Sequence, residues 1–62
     1  MQDIRIVNHG SIVTVRPLTH AADQWLQDNT DGMWFGGALI VEPHYLGDLV
    51  AGMIEEGIKV SV

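Results

Sequence analysis

The chain has 62 residues, eight acids against three bases for a net charge of −5, and no cysteine. That length excludes a second core, and the missing thiols exclude disulfide staples and thiolate metal sites. The acid excess argues against direct binding to nucleic acid or anionic lipid, whose affinity comes largely from Lys and Arg.

A domain this short buries only about 60% of the surface its unfolded chain exposes. Its 47% hydrophobic content must therefore serve dense packing or self-association. A homodimer is one expectation, and the negative charge also suits a basic partner. The start, Met1-Gln2-Asp3-Ile4-Arg5-Ile6, lacks the apolar region of a signal peptide. No stretch approaches the ~20 apolar residues of a membrane span, so the expected location is the cytoplasm.

Asp3 to Asn8 and Ile12 to Arg16 read as two strands joined by a tight turn at His9-Gly10. A two-residue loop there sets Ile4 opposite Val15 and Ile6 opposite Val13 on one face. The other face then pairs Asp3 with Arg16, Arg5 with Thr14 and Val7 with Ile12. Side chains alternate with period two, so a slip of one residue would set Ile4 and Ile6 against polar partners. Gly10 supplies the positive φ of the turn.

Pro17 ends the second strand because it cannot donate to a ladder. Thr19 is a good N-cap, with Leu18 placed to staple onto the first turn. The helix from His20 to about Gln27 carries Ala21, Ala22, Trp25 and Leu26 on one face and Asp23, Gln24, Gln27 and Asp28 on the other. Asp28-Asn29-Thr30-Asp31-Gly32 is a loop by composition.

Ala38 to Val41 is an unbroken apolar run between a Gly pair and Pro43. That is the pattern of a strand buried on both faces, about which the rest is built. Pro43 suits the first turn of a second helix. Leu46, Leu49, Val50, Met53 and Ile54 recur at three- and four-residue spacing. Gly47 and Gly52 inside it are read as points where the helix backbone comes close to the sheet or to a partner. Gly57 is the expected left-handed C′ residue, followed by Ile58 as its hydrophobic contact. Ile58, Val60 and Val62 alternate with Lys59 and Ser61 as a closing half-buried strand.

The predicted order is β-β-α-β-α-β: a single small α+β domain over residues 1–62, with a mixed sheet, an N-terminal hairpin and both helices on one face. A right-handed crossover through the second helix would set the last strand parallel to Ala38–Val41.

Gly36-Gly37 precedes a strand and has no Lys-Ser/Thr after it, so a bulge or close packing beside Trp34 is expected there and not a phosphate cradle. His9, His20 and His44 show no metal-ligand spacing. Ser11 beside His9, and Glu42 with His44, are the candidate catalytic pairs, but neither has a third group to orient it. A pocket lined by Glu42 and His44 would be the sign of a small acid/base enzyme. The expectation is a protein that is not an enzyme and needs no cofactor or metal.

Asp48 and Glu55 lie seven residues apart on the polar side of the second helix, about 10 Å along its axis. Glu56 extends that side, and Asp23, Asp28 and Asp31 form a second acidic group. A solvated surface is one account. A face offering spaced negative charge to a basic groove, as a nucleic-acid mimic does, is the other. In Trp34-Phe35 the strand alternation sends one ring away from the core unless another segment covers it, which makes it a candidate apolar anchor.

The pattern His9-Gly10-Ser11-Ile12, Arg16-Pro17-Leu18-Thr19, then Trp34-Phe35-Gly36-Gly37-Ala38-Leu39-Ile40-Val41-Glu42-Pro43 and Tyr45-Leu46 resembles a family of short bacterial proteins often carried by phage or plasmid-like elements. The resemblance spans most of the chain, and its motifs are structural in character. In size, acidity and lack of cysteine the chain is also similar to small anti-CRISPR proteins, several of which occupy nucleic-acid-binding surfaces. The expectation is thus a non-enzymatic inhibitor of a basic, nucleic-acid-handling partner. Asp23, Asp28, Asp31, Asp48, Glu55 and Glu56 would supply charge, and Trp34 or Phe35 the anchor. The alternative is a homo-oligomeric interaction domain.

Overall fold

The computed structural model of the chain describes residues 2–61, so the placement of Val62 in the last strand lies outside the described residues. Five strands and two helices follow in the order β1 (Ile4–Asn8), β2 (Val13–Pro17), α1 (His20–Asn29), β3 (Met33–Phe35), β4 (Ala38–Val41), α2 (Pro43–Glu55) and β5 (Val60–Ser61). They form one mixed sheet of order β3-β4-β2-β1-β5. β5 runs parallel to β1, and the other neighbours are antiparallel. β4 and β5 therefore point the same way, as the crossover through α2 requires. The succession β2-α1-β3-β4-α2-β5 is a ferredoxin-like split βαβ arrangement with β1 wedged between its first and last strands. The middle position belongs to β2, and the apolar run of β4 lies one strand away from it.

Ile4, Ile6, Val13, Val15, Leu39 and Val41 share one face of the sheet and are buried against Ala22 and Leu26 of α1 and Leu49 and Met53 of α2. Both helices thus cover the same face, and the domain is a two-layer α+β fold. Trp25, Trp34, Leu46, Val50, Ile58 and Val60 close the rim of this core. Ala21 and Ile54, expected on the inner helix faces, are exposed.

The hairpin register differs from the sequence expectation by two residues. Ile4 pairs with Pro17, Arg5 with Arg16, Ile6 with Val15, Val7 with Thr14 and Asn8 with Val13. The connection is His9-Gly10-Ser11-Ile12, closed by the His9 amide donating to the Ile12 carbonyl at 2.8 Å and by the Gly10 amide donating to Asn8 Oδ1 at 2.8 Å. A slip of two preserves which side chains face inward. The core face was therefore foreseen while the partners were not. Pro17 stays within β2, and beyond it the Leu18 amide donates to the Asp3 carbonyl at 2.7 Å.

A second correction concerns Gly36-Gly37. Both have positive φ, 57° and 80°, and they form the two-residue turn of a hairpin between β3 and β4, pairing Phe35 with Ala38 and Trp34 with Leu39. A Gly pair between two apolar runs is a hairpin signal, because both central residues of a type I′ turn need positive φ.

The start of α1 and the end of α2 are built as the sequence suggested, whereas α1 runs on to Asn29, through the Asp28-Asn29 pair that composition assigned to a loop. Thr19 caps α1, its hydroxyl accepting from the Ala22 amide at 3.2 Å. Leu18, however, is exposed, and the fourth helical residue is Asp23, so no hydrophobic staple forms. At the far end of α2, the Gly57 amide donates to the Ile54 carbonyl and the Ile58 amide to the Met53 carbonyl, with Gly57 at φ 79°. This is a Schellman termination.

Candidate functional site

The sheet has one covered face and one open face, and the charges divide between the two sides of the molecule. On the open face, the strand register gives one row of Met33, Ile40, Thr14 and Val7. Beside it lie the pair Arg5–Arg16 and the pair Phe35–Ala38. Phe35 is 77% exposed and Met33 73%. Trp34, one residue away, turns inward and is half-buried against the core. Alternation thus assigns the exposed ring to Phe35, and Trp34 is a rim residue of the core. The Arg16 guanidinium reaches across to the turn before β4, with Nη1 3.4 Å from where a Gly37 Cβ would stand.

The helix side carries the carboxylates. Asp48, Gly52 and Glu55 form one stripe of α2 at spacings of four and three. A Cβ on Gly52 would meet the Trp25 indole of α1 at 3.4 Å. This stripe therefore borders the seam between the helices, and the close approach read from Gly52 is to α1. Gly47 has nothing within 4 Å and makes no such approach. Asp28 lies three residues beyond Trp25 on α1 and borders the same seam, accepting from Gln24 Nε2 at 3.1 Å. Glu56 caps the end of α2.

Two acids stand apart. Asp23 is half-buried on the other flank of α1, lining a hollow with His20, Gln27 and Trp34. Asp31 lines a separate cleft near the loop before β3. The six acids are thus a seam group of four and two outliers, all on helices or loops. None is paired with Arg5, Arg16 or Lys59 among the described residues, where the one ion pair is His44–Glu42.

The Asp31 cleft holds about 370 Å³ and is lined also by Thr30, Glu42, His44 and Tyr45. It contains the Glu42–His44 pair, Nε2 to Oε2 3.4 Å, which is the arrangement an acid/base enzyme would call for. The two side chains are 74% and 80% exposed, however. Solvent at that level screens both groups and leaves them undirected, whereas general acid–base catalysis gains from positioned, desolvated groups. Among the described residues no cluster of three or more His, Cys, Asp or Glu could hold a metal.

A structural centre missed by sequence reasoning is Asp3. Its carboxylate accepts from the Thr19 hydroxyl at 3.1 Å and from the Lys59 amide at 3.0 Å. The Lys59 amide holds its carboxyl below the ordinary 3.8, against an opposing effect of desolvation, and the Thr19 hydroxyl adds to the lowering. No signal short of knowing that β5 lies beside β1 could have found it.

No helix of the described residues is long and apolar enough to cross a membrane. Comparison with family models, with curated proteins and with solved structures finds no match.

Proposed function

We propose that this protein is a small non-enzymatic binding protein of a mobile element, inhibiting a nucleic-acid-handling partner in an anti-CRISPR-like manner by offering its acidic helix layer to that partner's basic surface. The observation that carries the reading is the separation of charge. Asp28, Asp48, Glu55 and Glu56 border or extend one helical seam without a salt-bridge partner among the described residues, while Arg5 and Arg16 lie on the opposite side of the sheet. Carboxylates without a salt-bridge partner stay available to an incoming basic surface, where complementarity sets on-rate and specificity. Spacing of about 10 Å between Asp48 and Glu55 along the helix is within reach of a groove lined by several Lys or Arg.

The test is affinity capture from a host lysate, followed by an assay of the captured partner's nucleic-acid binding. Wild-type protein should compete with nucleic acid. The double reversal Asp48→Lys with Glu55→Lys should weaken that competition by roughly tenfold or more, since two attractions become repulsions. Undiminished competition by the reversed variant would sink the mimicry. The runner-up, a homo-oligomeric interaction domain, draws on the apolar open face and predicts a mass above one chain with no captured partner.

A further inference from the structure

We propose that the open face of the sheet receives the outward side of α2 from a second copy of the chain, so that copies associate head to tail. The inference does not rest on the partner proposed above. It rests on two surfaces of one molecule that complement each other in charge and in apolar character.

The receiving surface has Phe35, Met33, Ile40 and Val7 as its apolar part and the Arg5–Arg16 pair as its charge. Those two cations lie directly opposite each other on neighbouring strands, an arrangement that is unfavourable without an anion to bridge it. The face itself offers none, because its strand positions hold no carboxylate. The inserted surface is the outward stripe Gly47, Ala51 and Ile54 of α2, spaced four and three, with Ile54 63% exposed. Asp48 and Glu55 both run along one edge of that stripe, the edge toward α1. Gly47 and Ala51 leave room for a large side chain such as Phe35, and the two carboxylates stand where two long guanidinium arms can reach them.

A symmetric contact of two open faces is the obvious competitor. It would gather four guanidinium groups in one interface with no counter-charge, and like charges juxtaposed in an interface cost several kcal/mol. The head-to-tail contact removes that conflict. The molecule measures 27 × 21 × 21 Å, so one flat side offers on the order of 500 Å², near the lower margin for specific interfaces. Association is therefore weak and concentration-dependent. Because it covers the outward side of α2, it also competes with any basic partner for Asp48 and Glu55.

Two variants test this, each closing one surface through exposed residues: Arg16→Ser with Phe35→Ser on the sheet, and Asp48→Asn with Ile54→Ser on α2. Sedimentation velocity runs from micromolar to millimolar, with circular dichroism confirming that both variants fold. Wild type should gain mass with concentration. Each variant alone should associate at least about tenfold more weakly. An equimolar mixture should recover a dimer and stop there, since it retains one intact pair of surfaces. Wild type that stays monomeric throughout overturns the proposal. So does association of the α2 variant by itself, which would mean a symmetric sheet contact. Binding of a single-stranded oligonucleotide to the Arg5–Phe35 face of a monomer overturns it too.

Discussion

Asp3 and Thr19 hold three parts of the chain together through one short relay. The Thr19 hydroxyl donates to Asp3 at 3.1 Å while accepting from the Ala22 amide at 3.2 Å, and the second Asp3 oxygen takes the Lys59 amide. The start of β1, the start of α1 and the approach to β5 are fixed by these bonds. Thr19→Ala should cost about 1 to 2 kcal/mol, the upper range for a lost cap, read by urea denaturation. Asp3→Asn keeps the shape but leaves one oxygen where the relay uses two, so its melting temperature should fall at neutral pH. The sign with pH follows from linkage. The folded carboxyl titrates below its ordinary 3.8, so its contribution is complete above that value and is lost as pH falls through the lowered one. The gap between wild type and Asp3→Asn should therefore close in acid. A constant gap would place the effect elsewhere.

At the scale of elements, what could be read from the residues was what has a short-range cause. The alternation Ile4, Ile6 and Val13, Val15 marked the inner face of the hairpin, the spacing of Leu49 and Met53 marked α2, and Gly57 marked its end. The partners of those strands were harder. A two-residue and a four-residue connection at His9 to Ile12 bury the same side chains, and only the Asn8–Gly10 and His9–Ile12 hydrogen bonds select the longer one. The Gly36-Gly37 turn was present in the residues but β3 is three residues long, too short for alternation to declare itself. Two glycine substitutions separate turn from helix. Gly37→Ala forces an L side chain into φ 80° and should destabilise by about 1 to 2 kcal/mol. Gly47→Ala meets nothing within 4 Å and should stabilise by about 1 kcal/mol through helix propensity. Opposite signs in the same denaturation assay are the expected result.

For the whole molecule, the division into a covered and an open face sorts the core side chains from the exposed ones. The candidate acids were legible as residues, but their grouping was not. Asp23 and Asp31 fall away from Asp28, Asp48 and Glu55 because the order of strands, not the local sequence, decides which helix flanks meet. The same order places Phe35 on the open side, where it contributes little to the fold. A domain of this size has a stability of about 3 to 9 kcal/mol. Leu26 is fully buried in the core, and Leu26→Ala should cost about 2 to 5 kcal/mol, enough to unfold a large fraction of the chain. Phe35→Ser, at 77% exposure, should shift stability by no more than about 0.5 kcal/mol. In the association proposed above, this exposed ring and the neighbouring Arg5–Arg16 pair are the groups that would meet a second copy. If Phe35→Ser instead destabilises the isolated monomer as Leu26→Ala does, the ring belongs to the core, and the open face loses its anchor.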